Sequence, residues 1–224
     1  MVNCCKWVSK RQAVSELLQD LASLEEDTLI AVGGTLSSEN LLAAYRHGVF
    51  PWFSQEPVQW WYTAPRMVLY LNEFKLQRSL RKKMPQFELR MDDHFAQVIA
   101  CCAQAPRVGQ SGTWITAKMQ AAYCLLHAEG FAHSVEAYQN GVLVGGLYGL
   151  AIGRMFYGES MFAAVTDASK VALAYLVQHL QARGFVLIDC QQQTDHLTSL
   201  GARPISSAQF QAHVQDLTAW PNAF

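Results

Sequence analysis

"FAHSVEAYQNGVLVGGLYGLAIGRMFYGESMF", residues 131–162, is the stretch whose reading decides the fold. Three apolar runs are divided by Asn140-Gly141 and by a second turn at Gly153, and an Asn-Gly pair between strand-forming runs is a strong hairpin signal. The stretch predicts a three-stranded antiparallel meander. After it, Thr166 or Asp167 can cap a helix over 168–183 that Gly184 stops. "FVLIDC", 185–190, then reads as a continuous apolar strand.

Meander, helix and central strand in that order predict an α/β (α+β) fold with an acetyltransferase-like (GNAT-type) domain and a mixed, largely antiparallel sheet. Enzymes of that fold that use acetyl-CoA hold its pyrophosphate on an R/Q-x-x-G-x-G/A loop opening the helix, where backbone N–H groups meet the anion. The junction here reads "YGESMFAAVTDASK", 157–170, without that loop. "RVGQSG", 107–112, carries glycines but lies upstream with other spacing.

Upstream, "QAVSELLQDLAS", 12–23, has helical spacing. "LIAVGGTLSSENLLAAYRHGVFPW" offers a short strand, a Gly33-Gly34 turn, a Ser37 or Ser38 cap and a helix ending near Gly48. Residues 48–66, "GVFPWFSQEPVQWWYTAPR", then crowd Trp52, Trp60 and Trp61 among three prolines. "TAPR" reads as the turn into a second unit, dividing a small N-terminal domain, 1–65, from a catalytic domain, 66–224. That unit opens with the strand "MVLYL", a basic helix over 75–84, a strand near 87–91 and a helix over 93–103. A flexible loop delivers Trp114 before a helix over 117–128.

Composition narrows the function classes. The chain has 224 residues, 51% of them hydrophobic and only 16% charged, which describes a compact globular protein with an apolar surface or large clefts. A net charge of -1 excludes a protein that is basic all over, yet six of the 17 Lys and Arg fall between Lys75 and Arg90. The six cysteines form no C-x-x-C, so neither a zinc site nor a disulfide framework is suggested. No signal peptide and no membrane-length apolar run are present, and a reduced, cytoplasmic protein is expected.

Side-chain alternation places Asp189 and Gln191 on one face at the end of the buried strand, where a carboxylate and an amide can orient an amine nucleophile. The alternative is a carboxylate that satisfies nearby backbone donors. Glu159, between "FYG" and "SMF", needs an internal partner or a ligand's ammonium group. Cys190 beside Asp189 is a disarmed thiol. Asp195, His196 and Ser199 tempt a hydrolase reading, but no G-x-S-x-G elbow supports it. Lys75, Arg78, Arg81, Lys82 and Lys83 form either a solvated face or, beside tryptophans that can take unpaired bases, a track for a phosphate backbone.

In order, "AVGG.L", "LLAAYRHGVFPWF", "WWYTAPR", "GTWIT", "AHSVE", "GVLVGGLYG", "FYGESMF", "ASKVAL", "LIDCQ" and "DH..SLGA" resemble the motifs of the bacterial leucyl/phenylalanyl-tRNA-protein transferases, from about residue 29 to 203. The resemblance implies an aminoacyltransferase that moves Leu, Phe or, less well, Met from aminoacyl-tRNA to the α-amino group of proteins beginning with Arg or Lys. The product would be marked for N-end-rule degradation. It implies a cytoplasmic monomer needing no cofactor and no metal, because the ester to tRNA is already activated. It assigns Trp52 and Trp114 to the 3′-terminal adenosine, and Leu147, Phe156, Glu159, Met161 and Ile188 to the donor side chain and its α-amino group. Asp189 and Gln191 become the catalytic pair. Trp60 and Trp61 are left to pack the two units together.

Four features depart from the family pattern: Leu147 for a common methionine, Thr35 for a frequent aspartate, a long loop before Trp114, and "PISSAQF" without an arginine. Two rival readings are an acetyl-CoA N-acetyltransferase and a noncatalytic RNA-binding module. The first is disfavoured by the missing pyrophosphate loop, and the second leaves Glu159, Asp189 and Gln191 unexplained.

Overall fold

The computed structural model describes residues 6–8, 20–106 and 113–224 and contains two sheets. The helix expected over 12–23 lies mostly outside the described residues; its end, Leu21–Ser23, is a single 3-10 turn.

The first sheet has four strands: β1 (Lys6–Val8), β2 (Thr28–Gly33), β3 (Phe50–Pro51) and β4 (Gln59–Tyr62), in the order β1-β2-β4-β3. Helix α1 (Ser38–Tyr45) begins where the Ser37 hydroxyl accepts a bond from the Asn40 N–H at 3.3 Å, so Ser37 is the cap. Thr35 also has a structural task, accepting from the Asn40 side chain through its carbonyl and hydroxyl at 3.1 and 3.2 Å. Past α1 the chain turns at Gly48, φ +74, where a Cβ would stand 2.4 Å from the Phe210 ring. Trp60 is fully buried and donates to the Gly33 carbonyl at 3.0 Å, while Trp61 is half-buried against the same core.

The second sheet begins at Arg66. Its strands are β5 (Arg66–Tyr70), β6 (Glu88–Met91), β7 (Ala132–Gln139), β8 (Val142–Ile152), β9 (Met155–Ala163), β10 (Leu187–Gln191) and β11 (Arg203–Ile205), in the order β11-β5-β10-β9-β8-β7-β6. The meander is present as β7, β8 and β9. Strand β10 runs parallel to β9 and antiparallel to β5, which makes the sheet mixed. One face packs on α3 (Phe95–Gln104), α4 (Ala117–Ala128) and α7 (Ser207–Thr218), the other on α5 (Ala168–Ala182). The first face's core runs without interruption into the small sheet, joining Leu41, Tyr45, Trp60 and Tyr62 to Tyr123, Tyr148 and Phe210.

Two expectations need correction. The basic helix is shorter than 75–84: α2 spans Arg78–Lys83, since the backbone turns helical only after Gln77, at φ -59 and ψ 142, and the Lys75 N–H upstream is held by the Leu200 carbonyl at 2.8 Å. Helix α5 starts after Asp167, but neither Thr166 nor Asp167 caps it through a side chain. Asp167 sits in the left-handed region at φ +70 and gives its carboxylate to Lys83 and Lys170 at 2.6 and 3.0 Å instead.

Two irregularities position the site. Across β8 and β9 the pairing moves from Tyr148 with Ser160 to Gly149 with Gly158, which leaves Glu159 as an extra residue. Across β10 and β5 it moves from Asp189 with Val68 to Gln191 with Met67, which leaves Cys190 extra and Gln191 at φ +54. Strands β9 and β10 pair only at Met155, Phe156 and Tyr157 and then part. The gap between their bulged ends is the mouth of a cavity.

Candidate active site

That cavity has a volume of about 570 Å³. It gathers Trp52 and Trp114 with Leu147, Phe156, Met161 and Ile188, and adds Glu159 and Gln191 as polar groups. Eight of the residues singled out from the sequence, drawn from five separate segments, therefore meet around one hollow. Trp52 is held edge-to-face by Trp61, with ring centroids 5.8 Å apart.

Glu159 is the cavity's carboxylate, and each of its partners is neutral. Its Oε1 accepts from the Tyr45 hydroxyl at 2.7 Å and the Gln191 amide at 3.2 Å, and its Oε2 accepts from the Tyr123 hydroxyl at 3.2 Å. Burial pushes its pKa up to about 7, despite those donors. Burial, reinforced by Glu159, holds both tyrosines well above their ordinary value, so they remain donors.

Asp189 does not share a face with Gln191, contrary to the alternation argument. Ile188, Cys190 and Gln191 line the cavity, whereas Asp189 is fully buried on the side of Arg66. The bulge is the physical reason, because the extra residue resets the period-2 rule between the two positions. Arg66 grips Asp189 with two bonds, Nε to Oδ1 at 2.8 Å and Nη2 to Oδ2 at 2.7 Å. The rest of the guanidinium donates to the Thr63 hydroxyl and the Gly48 carbonyl at 3.1 and 2.9 Å. The Phe210 ring covers it at 4.4 Å. Asp189 reaches the site through the main chain: its Oδ1 accepts the Gln191 N–H at 2.9 Å, while Thr63 donates to the Gln191 carbonyl at 3.0 Å. The frame around Asp189 thus fixes the backbone from which the Gln191 amide extends.

Sequence reasoning missed Arg66, Tyr45 and Tyr123. The first two stood in plain view within "WWYTAPR" and "LLAAYRHG", and an arginine opening the apolar run "RMVLY" asks for a buried carboxylate. Tyr123 carried no such signal. Burial, with Asp189 adding to it, raises the Cys190 thiol far out of the reactive range. His196 lines the cavity mouth, while Asp195 and Ser199 are exposed, and they form no triad with it. Lys75, Arg78, Arg81 and Lys82 are exposed, and Lys83 is tied to Asp167. Among the described residues no group of His, Cys, Asp and Glu is suited to hold a metal ion.

At the start of α5, Ala168 packs on Gly145, where a Cβ would stand 2.4 Å away, and the Asp167 carboxylate is paired with Lys83 and Lys170.

A family model described as leucyl/phenylalanyl-tRNA protein transferase matches residues 68–215, and one for that family's N-terminal domain matches 34–63. The chain belongs to the leucyl/phenylalanyl-tRNA-protein transferase family. A curated transferase of that name from Thiobacillus denitrificans is 54% identical over 206 residues, covering 91% of this chain and 90% of the relative. Those from Dechloromonas aromatica and Cupriavidus pinatubonensis are 55% and 54% identical, covering 89% and 88% of this chain and 87% and 82% of theirs. Among solved structures, FemX is 10% identical with a TM-score of 0.46, covering 80% of this chain and 71% of that one. A Brucella melitensis ribosomal-protein-alanine N-acetyltransferase is 17% identical with a TM-score of 0.36, covering 51% and 86%. The chain is thus a transferase, an enzyme whose substrates are an aminoacyl-tRNA and a protein. Among its described residues no helix is long and apolar enough to cross a membrane.

Proposed function

We propose that the enzyme transfers Leu, Phe and, less well, Met from tRNA to the α-amino group of proteins beginning with Arg or Lys, marking them for N-end-rule degradation. It acts in the cytoplasm as a monomer, without metal or other cofactor. The observation that carries the reading is the convergence of two tryptophans, an apolar wall, the Glu159 carboxylate and the Gln191 amide on a single cavity of about 570 Å³.

In this reading Trp52 and Trp114 take the 3′-terminal adenosine, whose flat base suits ring contact. Leu147, Phe156, Met161 and Ile188 receive the donor side chain; a charged one would lose its hydration there without compensation. Glu159 receives the donor's α-amino group. The Gln191 amide holds the incoming amine, and Asp189 is a positioning residue that fixes Gln191 from behind. The amine nitrogen forms a bond to the ester carbonyl carbon, the bond to the ribose oxygen breaks, and the amine's proton ends on the released tRNA hydroxyl. Lys75, Arg78, Arg81 and Lys82 contact the tRNA backbone, with Lys83 at the end of that row.

The test is transfer of labelled leucine from Leu-tRNA to a peptide beginning with Arg, beside an identical peptide beginning with Asp. Label on the Arg peptide alone is expected. Equal labelling would remove the acceptor rule; none, with tRNA still bound, would favour a surface that binds RNA without the chemistry.

A further inference from the structure

Phe224 packs against the back of the cavity. Its ring stacks on His133 with centroids 3.6 Å apart, lies 4.8 Å from His179, and meets the Phe156 ring at 5.9 Å and 27°. Phe156 is the ring that lines the cavity, and Phe224 joins the same apolar cluster from the α5 side of the sheet. Phe156 has a second unusual support: a Cβ at Gly149 would stand 2.5 Å from its Cε1 and 2.7 Å from its Cζ, so the ring lies on bare backbone. No other side chain can occupy Gly149's place without pushing Phe156 away.

We infer that Phe224 is a specificity-positioning residue: by backing Phe156 it sets the depth of the apolar end of the cavity and thereby the balance between leucine and phenylalanine donors. The inference rests on that cavity being the donor pocket. Interiors are close-packed, so a ring that loses one face of its contacts moves into the space released. Without Phe224, Phe156 can withdraw toward His133 and His179. Both imidazole rings already pack against Phe224, so the space it leaves is walled by flat rings that a second phenyl ring can pack against. A deeper pocket suits the longer, flatter donor. Selection by such fit is worth about tenfold or somewhat more for each methylene-sized change.

The experiment measures kcat/KM for Phe-tRNA and Leu-tRNA with one Arg peptide, in the full chain and in Phe224→Ala, Phe224→Leu, Phe156→Leu and Phe156→Leu/Phe224→Ala. Phe224→Ala is expected to raise the Phe-to-Leu ratio about fivefold. Phe224→Leu should fall between it and the parent, and it carries the test should the alanine variant fold poorly. Phe224→Ala should add nothing to the ratio once Phe156 is Leu, which a merely stabilising residue would not predict. An unchanged ratio in the Phe224 variants, with Phe156→Leu shifting it, overturns the inference and leaves the donor pocket standing. If Phe156→Leu also leaves the ratio unchanged, the pocket assignment fails first and takes the inference with it.

Discussion

Glu159 and Asp189 are the two carboxylates at the bulged ends of neighbouring strands, and they are treated in opposite ways. Asp189 is sealed from solvent and gripped by a guanidinium. Glu159 opens on the cavity and is met only by hydroxyl and amide donors. A guanidinium that grips a carboxylate with two bonds holds it immobile, so it serves as a fixed bracket. Neutral donors leave the cost of burial partly uncompensated, so Glu159 exchanges its proton near about 7 and is free to answer a substrate's charge. Adjacent bulges thus separate holding from responding.

The largest break in this contrast comes from Asp189→Ala, which strands the Arg66 cation. A loss of about 3–5 kcal/mol of stability is expected by denaturant unfolding, because an unpaired buried charge is severe. Arg66→Met/Asp189→Leu should recover much of that stability without recovering transfer. A stable, fully active double variant would show that the bracket is dispensable.

Next is Glu159→Gln. Because the folded-state pKa lies above the ordinary carboxylate value of 4.5, the native carboxyl favours folding fully below that value. The contribution is lost as pH rises through about 7. The variant should therefore gain stability relative to the parent above pH 7, by at most about 3.5 kcal/mol at about 1.4 kcal/mol per unit, while losing transfer. Melting curves at pH 5 and pH 8 check the sign, and an advantage at pH 5 alone would reverse the account.

Trp114→Ala lies outside both carboxylates and should weaken binding of the acceptor end by about 1–3 kcal/mol in titrations with tRNA. Reversal of Arg78, Arg81 and Lys82 is expected to act more diffusely, lowering affinity and flattening its dependence on salt. Equal tRNA affinity in the two variants and the parent would undo the division between base-binding rings and a phosphate track.

Sequence revealed most where structure is local. Asn140-Gly141 announced the hairpin because its turn asks for positive φ, and both residues have it. Ser37 was readable as a cap because its partner is three residues away. The resemblance supplied Trp52, Trp114, Phe156 and Met161, which no periodicity separates from core residues. Bulges remained hidden, since nothing in "LIDCQ" says that one residue is skipped, and so Asp189 was assigned to the wrong face. Tyr45 stood inside a quoted motif but its partner Glu159 lies 114 positions on, and Tyr123, 36 positions from the same carboxylate, carried no signal of its own.

Arg66 ties together pieces that meet only late in the chain's synthesis: the Gly48 carbonyl before β3, the Phe50 ring from the small sheet, Asp189 from the neighbouring strand β10, and Phe210 from α7. A nascent chain that has made the small sheet and β5 holds a cation with no counterion. Only after some 120 further residues does Asp189 arrive to neutralise it. The order of synthesis thus sets a late step for the chain: the cation that opens the large sheet waits for a strand made near the end before its charge is met.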